Sequence, residues 1–153
     1  MGNSIYCTNT VKLLNIEFQQ GGNDSYGSED LILGKSFPME LHVVFYKKEY
    51  REMRSALDHA DGLTVLAFFF EVSKEPNPAY EEITKMLVEV QKSKTNASFT
   101  SPPALRGLLS DNLDEYYVYN GSLTTPPCSE VVTWLDFQVP IPLSHKQVGK
   151  NQL

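Results

Sequence analysis

Hydrophobic and polar residues alternate along several short segments of the chain, as they do in β-strands with one face in a core. This alternation predicts strands over residues 12–19, 39–46, 116–119 and 131–137. Residues 63–72 are instead almost continuously apolar and rich in aromatic side chains, which is typical of a strand buried on both faces. Asn120-Gly121 predicts a tight turn. Strands outnumber helices, so we expect a mainly β, mostly antiparallel fold with peripheral helices (α+β).

Helical signals are fewer. Residues 80–92 carry the clearest one, because their apolar side chains recur every three or four residues and form a stripe that can face a core. The members of this stripe are Ile83, Met86, Leu87 and Val90. The segments 47–60 and 102–109 each predict a short helical turn. Ser144 is a suitable N-cap for a helix within the polar segment 144–153.

Composition and charge exclude several classes of function. The 153 residues are 41% hydrophobic and 21% charged, which suits one soluble domain with a sizeable core. The net charge is −6 and the basic residues are scattered, which argues against nucleic acid as a partner. No apolar run approaches the roughly 18 residues of a membrane helix, so we expect no membrane segment.

The cysteines and the N-glycosylation sequons do not decide whether the chain is secreted or cytoplasmic. Cys7 and Cys128 are the only cysteines, and their spacing is compatible with two free thiols or with disulfide bonding. Three N-glycosylation sequons begin at Asn23, Asn96 and Asn120, where chance predicts about one. The sequons favour a secreted chain, but residues 1–7 lack the features of a secretory signal.

Several motifs occur in a fixed order along the chain. They are GSE at 27–29, KSFPMELH at 35–42, DGLTVL at 61–66, RGLL at 106–109 and GSLTTPPC at 121–128, followed by VTW at 132–134. Together they closely resemble the α-carbonic anhydrases, in family order from about Lys12 to Gln147. The resemblance implies a mixed central sheet of that family's type, in one partial domain over residues 1–153. The family continues beyond both ends of this chain, so we expect an incomplete sheet.

The resemblance places the family's three zinc-binding histidines at Glu17, Gln19 and His42, so two of the three ligands are replaced. Glu40 resembles the family's carboxylate that accepts a hydrogen bond from a zinc-binding histidine. A carboxylate at Glu17 can ligate zinc, whereas the amide oxygen of Gln19 is a poor ligand. We therefore expect no zinc cofactor, with weak zinc binding as the alternative. His42 is then a remnant, hydrogen-bonded within a packed pocket.

Other parts of the family's site are retained. Thr124 and Glu29 resemble the pair that orients the zinc-bound hydroxide, and without zinc they would only hold the loop that precedes Pro126. Asp30 stands where the family has a histidine. The resemblance also implies an apolar pocket wall, whose residues would serve equally well as core. They are Val43, Val65, Leu123, Thr125, Val132 and Trp134.

Three functions follow from these residues. The first is a carbonic-anhydrase-related protein that has lost its metal and binds other, unidentified proteins. The second is a zinc-dependent enzyme of reversible CO2 hydration with an altered or residual site. The third is a truncated product without a function of its own. Cys128 stands where extracellular relatives often have a disulfide, and both secreted and cytoplasmic relatives are implied by the family.

Overall fold

The computed structural model describes residues 10–21, 25–86 and 104–149. Its strands are β1 (Val11–Gln20), β2 (Met39–Lys47), β3 (Leu63–Ser73), β4 (Tyr116–Gly121) and β5 (Val132–Ser144). Its α-helical segments are α1 (Met53–Ala56), α2 (described over 81–86) and α3 (His145–Gly149). Short 3-10 helices cover Lys48–Tyr50, Pro78–Tyr80 and Leu105–Leu108. The strands and short helical turns that the sequence predicts are therefore confirmed.

The five strands form one mixed sheet in the order β1-β2-β3-β5-β4. β4 pairs antiparallel with β5, from Tyr116 opposite Phe137 to Gly121 opposite Val132. The prediction of a tight turn at Asn120-Gly121 is wrong, because both residues belong to β4 and pair with Thr133 and Val132. The chain reverses instead through the longer loop 122–131.

The predicted helix over 80–92 is confirmed only where the structure describes it. Residues 81–86 are helical, with Ile83 buried and Met86 half-buried. Leu87, Val90 and the rest of that prediction lie outside the described residues, as does Cys7. Within the described residues, the helices are too short and too polar to cross a membrane.

Contacts within the chain divide it into two compact units, and the single domain expected over 1–153 stays a prediction. The first unit consists of Met1–Phe18, Leu41–Phe68 and Asn112–Gln138. Its core is a cluster of buried apolar side chains from β2, β3, β5, α1 and the end of the loop 122–131, against which Leu14 and Leu123 pack. The members of this cluster are Val44, Tyr46, Ala56, Leu63, Val65, Ala67, Val131, Val132 and Trp134.

In the first unit, charged and polar side chains at the end of β2 and in the segment after it form a hydrogen-bonded cluster. The Lys47 ammonium bonds to Asp61 and lies 2.7 Å from Glu49, and the Tyr50 hydroxyl donates to Asp61 at 2.7 Å. The hydrogen bond to Asp61 raises the pKa of Tyr50 to about 12. The Lys47 ammonium lowers the pKa of Asp61. Glu49 and Asp61 are exposed and Lys47 and Tyr50 are only half-buried, so we assign these contacts little contribution to stability.

The second unit consists of Gln19–Glu40, Phe69–Asp111 and Val139–Leu153. Its described core contains Phe37, which packs against Phe69 with 4.9 Å between ring centroids, and Phe70, which meets Tyr80 edge to face at 5.4 Å. Tyr80 is 1% exposed, and its hydroxyl donates to the carbonyl of Leu108. Tyr80 thus joins the segment before α2 to the 3-10 helix Leu105–Leu108.

Burial raises the pKa of Tyr80 well above its ordinary value. Above pH ~10 an unfolded Tyr80 loses its proton while the folded one keeps it. Stability is therefore full below that pH and falls as pH rises, by up to ~1.4 kcal/mol per unit. Tyr80→Phe should be less stable at neutral pH, because the Leu108 carbonyl loses its donor, but should lose less stability between pH 10 and 12. Urea unfolding of both proteins across this range measures the difference, and parallel curves would contradict it.

Ser144 caps α3 as predicted. The Ser144 hydroxyl accepts from the Gln147 backbone N–H at 3.3 Å, and the Gln147 side-chain oxygen accepts from the Ser144 N–H at 3.1 Å. This reciprocal pair is a capping box. The same Gln147 amide also accepts from the Asn77 N–H and donates to the Asn77 carbonyl, both at 2.8 Å.

Gln147→Ala should lower the free energy of unfolding by about 2–4 kcal/mol, because it removes the partner of both backbone groups of Asn77 at a site that is 6% exposed. Urea denaturation measures the loss. Lys146→Ala is the matched control, since Lys146 is exposed on the same helix, and it should change stability by less than about 0.5 kcal/mol. Equal effects of the two substitutions would contradict the role of the amide.

Candidate functional site

A small cavity of about 90 Å³ lies within the first unit. Its polar lining consists of Asn15, Glu17, His42, Thr124 and Thr125. Its apolar lining consists of Leu14, Val44, Met53, Val65, Leu123 and Trp134. A space of ~10–15 Å³ suffices for one water molecule, so the cavity accommodates several water-sized groups. Most of the residues predicted for the site thus meet at one place.

Strand alternation explains which residues face this cavity. His42 and Val44 lie two residues apart in β2, so their side chains share a face, whereas Val43 points the other way. The structure accordingly places Val44 on the cavity wall and Val43 (0% exposed) in the interior elsewhere. Val65 of β3 and Trp134 of β5 belong both to the wall and to the core cluster. Val132 belongs to the core cluster without lining the cavity.

His42 is packed against the indole of Trp134. The imidazole is 2% exposed, and its centroid lies 4.9 Å from that of Trp134 in an edge-to-face arrangement. The Trp134 indole N–H donates to the carbonyl of Ser122 at 3.2 Å, and Tyr119 stacks on the indole at 6.3 Å. Trp134 therefore fixes both the wall beside His42 and the start of the loop that carries Thr124.

Backbone hydrogen bonds shape the loop that contains Thr124. The Leu123 N–H donates to the Ser129 carbonyl at 3.0 Å, and the Cys128 N–H donates to the Thr125 carbonyl at 2.9 Å. Cys128 is exposed and has a φ of 57°. Thr124 and Thr125 are exposed at the cavity mouth. The loop thus presents two hydroxyl groups to the cavity.

Glu17 reaches the cavity from β1. It is half-buried, and its carboxylate accepts a hydrogen bond of 2.5 Å from the side-chain amide of Asn15. Sequence reasoning missed Asn15, although its position two residues before Glu17 on a strand indicates the same face. Leu14 and Met53 were also missed, and Met53 lies in α1, where no periodicity relates it to the strands.

The remaining predicted residues lie in the second unit. Glu40 is 0% exposed, and its carboxylate accepts a hydrogen bond of 3.0 Å from the Asp30 N–H. Glu29 is exposed, and Gln19 is half-buried near the end of β1. Asp30 and Glu40 thus form a local contact within that unit, while the predicted pairing of Glu29 with Thr124 stays a prediction.

The model of the eukaryotic-type carbonic anhydrase family matches residues 3–152. The chain belongs to that family.

Individual relatives include both carbonic anhydrases and a related protein. Human carbonic anhydrase 12 is 39% identical over 82% of this chain, and human carbonic anhydrase 7 is 38% identical over 91%. The human protein named carbonic anhydrase-related protein is 35% identical over 90% of this chain. The chain spans between 35% and 52% of the length of these three relatives.

Proposed function

We propose that this chain is a carbonic-anhydrase-related protein that does not hydrate CO2 and acts as a binding module for other proteins. The observation that supports this most directly is the set of potential metal ligands at the cavity. Among the described residues that line it, His42 supplies the one imidazole and Glu17 the one carboxylate.

This set of ligands does not fit the zinc of a carbonic anhydrase. That zinc is held by three neutral imidazoles with an open fourth position, and it lowers the pKa of bound water to ~7. Glu17 carries a negative charge, which would make bound water less acidic. Gln19, at the ligand position that the resemblance to the family implies, has only a weakly ligating amide oxygen. We therefore assign His42 a packing role against Trp134 rather than a role as a zinc ligand.

Zinc analysis together with a CO2 hydration assay on the purified 153-residue chain tests the loss of catalysis. We expect substoichiometric zinc after dialysis against zinc-containing buffer and no hydration above the buffer rate. Stoichiometric zinc with inhibitor-sensitive turnover would favour an active carbonic anhydrase and reject the proposal. A chain that shows no cooperative unfolding would favour a product without a function of its own.

Support for the binding role comes from an exposed hairpin tip in the second unit. Ile32 and Lys35 form a bridge, and the two residues between them, Leu33 and Gly34, have φ of 50° and 78°. Leu33 is 90% exposed. A large apolar residue in left-handed backbone at a solvent-exposed tip stabilises nothing within the described fold, and such strain is characteristic of functional positions. Leu33 is accordingly our candidate for a partner contact.

Leu33→Asn should leave the fold intact and raise the free energy of unfolding by up to about 1 kcal/mol, because Asn adopts left-handed backbone with less strain. Urea denaturation measures this effect. Leu31→Asn is the matched control, since Leu31 is 57% exposed in the same segment without a positive φ, and it should be neutral. A substantial destabilisation by Leu33→Asn would show that Leu33 serves the fold rather than a partner.

A further inference from the structure

The cavity of the first unit contains a charge that the packing role of His42 does not explain. Among the described residues of its wall, Glu17 supplies the one carboxylate, and none is a lysine or an arginine. All of these residues belong to the first unit. Because no such basic side chain of the described wall offsets the charge of Glu17, the cavity attracts cations and repels anions.

The carboxylate of Glu17 is held in place from within β1. Asn15 lies two residues earlier on the same face of the strand, and its side-chain amide donates to Glu17 Oε1 at 2.5 Å. A carboxylate has about four acceptor positions, so Glu17 can accept from a ligand and from Asn15 at the same time. The hydroxyl groups of Thr124 and Thr125 add further acceptors at the mouth of the cavity.

The rest of the wall favours a ligand with a short alkyl group. The apolar residues of the lining are Leu14, Val44, Met53, Val65, Leu123 and Trp134. A bare metal ion gains nothing from contact with such side chains, whereas an alkyl group is removed from water by them. A primary ammonium ion has three N–H donors for the acceptor groups and an alkyl group for the apolar ones. Methylammonium has two heavy atoms, each close to a water molecule in size, and the volume of about 90 Å³ accommodates it.

We propose that this cavity binds a small primary alkylammonium ion, with the ammonium group at Glu17 and the alkyl group against the apolar wall. Glu17 is half-buried, and a bound cation gives its charge the partner that a buried charge requires. This inference rests on the proposed loss of zinc, because a zinc ion at His42 would repel a second cation in so small a space.

Nuclear magnetic resonance of the ¹⁵N-labelled chain tests the binding. Trp134 lines the cavity and is the only tryptophan, so its indole N–H gives a single signal from the site. Methylammonium chloride, exchanged for sodium chloride at constant ionic strength, should shift this signal and saturate it at millimolar concentrations, as expected for an ion of two heavy atoms. Methanol is a neutral molecule of the same size and should bind at least about tenfold more weakly. Equal affinity for the two would overturn the proposal.

Glu17→Gln keeps the shape of the side chain but removes its charge, and it should weaken methylammonium binding at least about tenfold. Glu130→Gln is the matched control, because Glu130 is an exposed carboxylate of the same unit that does not line the cavity. It should bind methylammonium as the original chain does. Urea unfolding of both variants verifies that they are folded. Methylammonium binding that persists unchanged in Glu17→Gln would overturn the assignment to this carboxylate.

Zinc analysis of the same sample separates this proposal from the proposed function. A zinc-free chain whose indole signal does not respond to methylammonium would overturn the ammonium site alone. A chain with stoichiometric zinc would overturn both.

Discussion

The double substitution Glu17→His and Gln19→His should give the protein about one tightly bound zinc per chain. The two positions are separated by one residue in β1, so both imidazoles would project from the same face of the strand. Glu17 already lines the cavity with His42. The resemblance to the family, rather than the cavity lining, puts Gln19 at the remaining ligand position, so the double variant would have the family's three neutral nitrogen ligands. Titration calorimetry should show zinc affinity rising on the order of a thousandfold over the original chain.

A third substitution identifies where the zinc binds. Adding His42→Gln to the double variant should return zinc affinity to that of the original chain, because His42 supplies the third imidazole. Zinc that persists in the triple variant would be bound at another site. Failure of the double variant to bind zinc would show that the pocket differs from an enzyme's at more than these two positions.

Trp134→Ala should produce the second large effect, a loss of about 3–5 kcal/mol in the free energy of unfolding. Trp134 is 4% exposed, belongs to the core cluster, and contacts both His42 and Tyr119. Its removal also takes away the hydrogen bond to the Ser122 carbonyl and enlarges the adjoining cavity. Denaturant unfolding followed by circular dichroism measures the loss.

Two further variants test whether the loss of stability is specific to the Trp134 indole or follows from removing any aromatic side chain of the sheet. Trp134→Phe keeps an aromatic ring but removes the N–H donor, and its loss should be smaller than that of Trp134→Ala. Tyr117→Ala removes a ring that is 40% exposed on β4, and its loss should be smaller again. A Trp134→Ala protein as stable as the Tyr117→Ala protein would contradict the central place we give the indole.

The alternation of hydrophobic and polar residues in the sequence was sufficient to locate the strands, although the burial of the side chains along β1 and β4 does not itself alternate. It did not locate their ends. The prediction ended β5 at residue 137, whereas the strand continues to Ser144 through Pro140 and Pro142. Proline's fixed φ is compatible with an extended backbone, so it does not by itself end a strand. Asn120-Gly121 likewise has the sequence of a turn but pairs with β5.

Residues of the cavity lining were predictable where a motif or the two-residue period of a strand pointed to them. Glu17, His42, Thr124 and Trp134 came from the resemblance to the family, and the structure brings them to one cavity. The choice of Val43 rather than Val44 neglected the period of two. Met53 had no local signal, because a separate helical turn brings it to the cavity.

The side-chain amide of Gln147 forms the same pair of hydrogen bonds with a backbone peptide that a neighbouring β-strand would form. Its primary amide meets the Asn77 peptide with one donor and one acceptor, as a neighbouring strand would. The oxygen and the nitrogen of this amide therefore cannot exchange places, because the oxygen must face the Asn77 N–H and the nitrogen must face the Asn77 carbonyl. Conversion of Gln147 to Glu would keep the shape but set an acceptor against the Asn77 carbonyl. A glutamate at this position would therefore loosen α3 from the loop before Pro78.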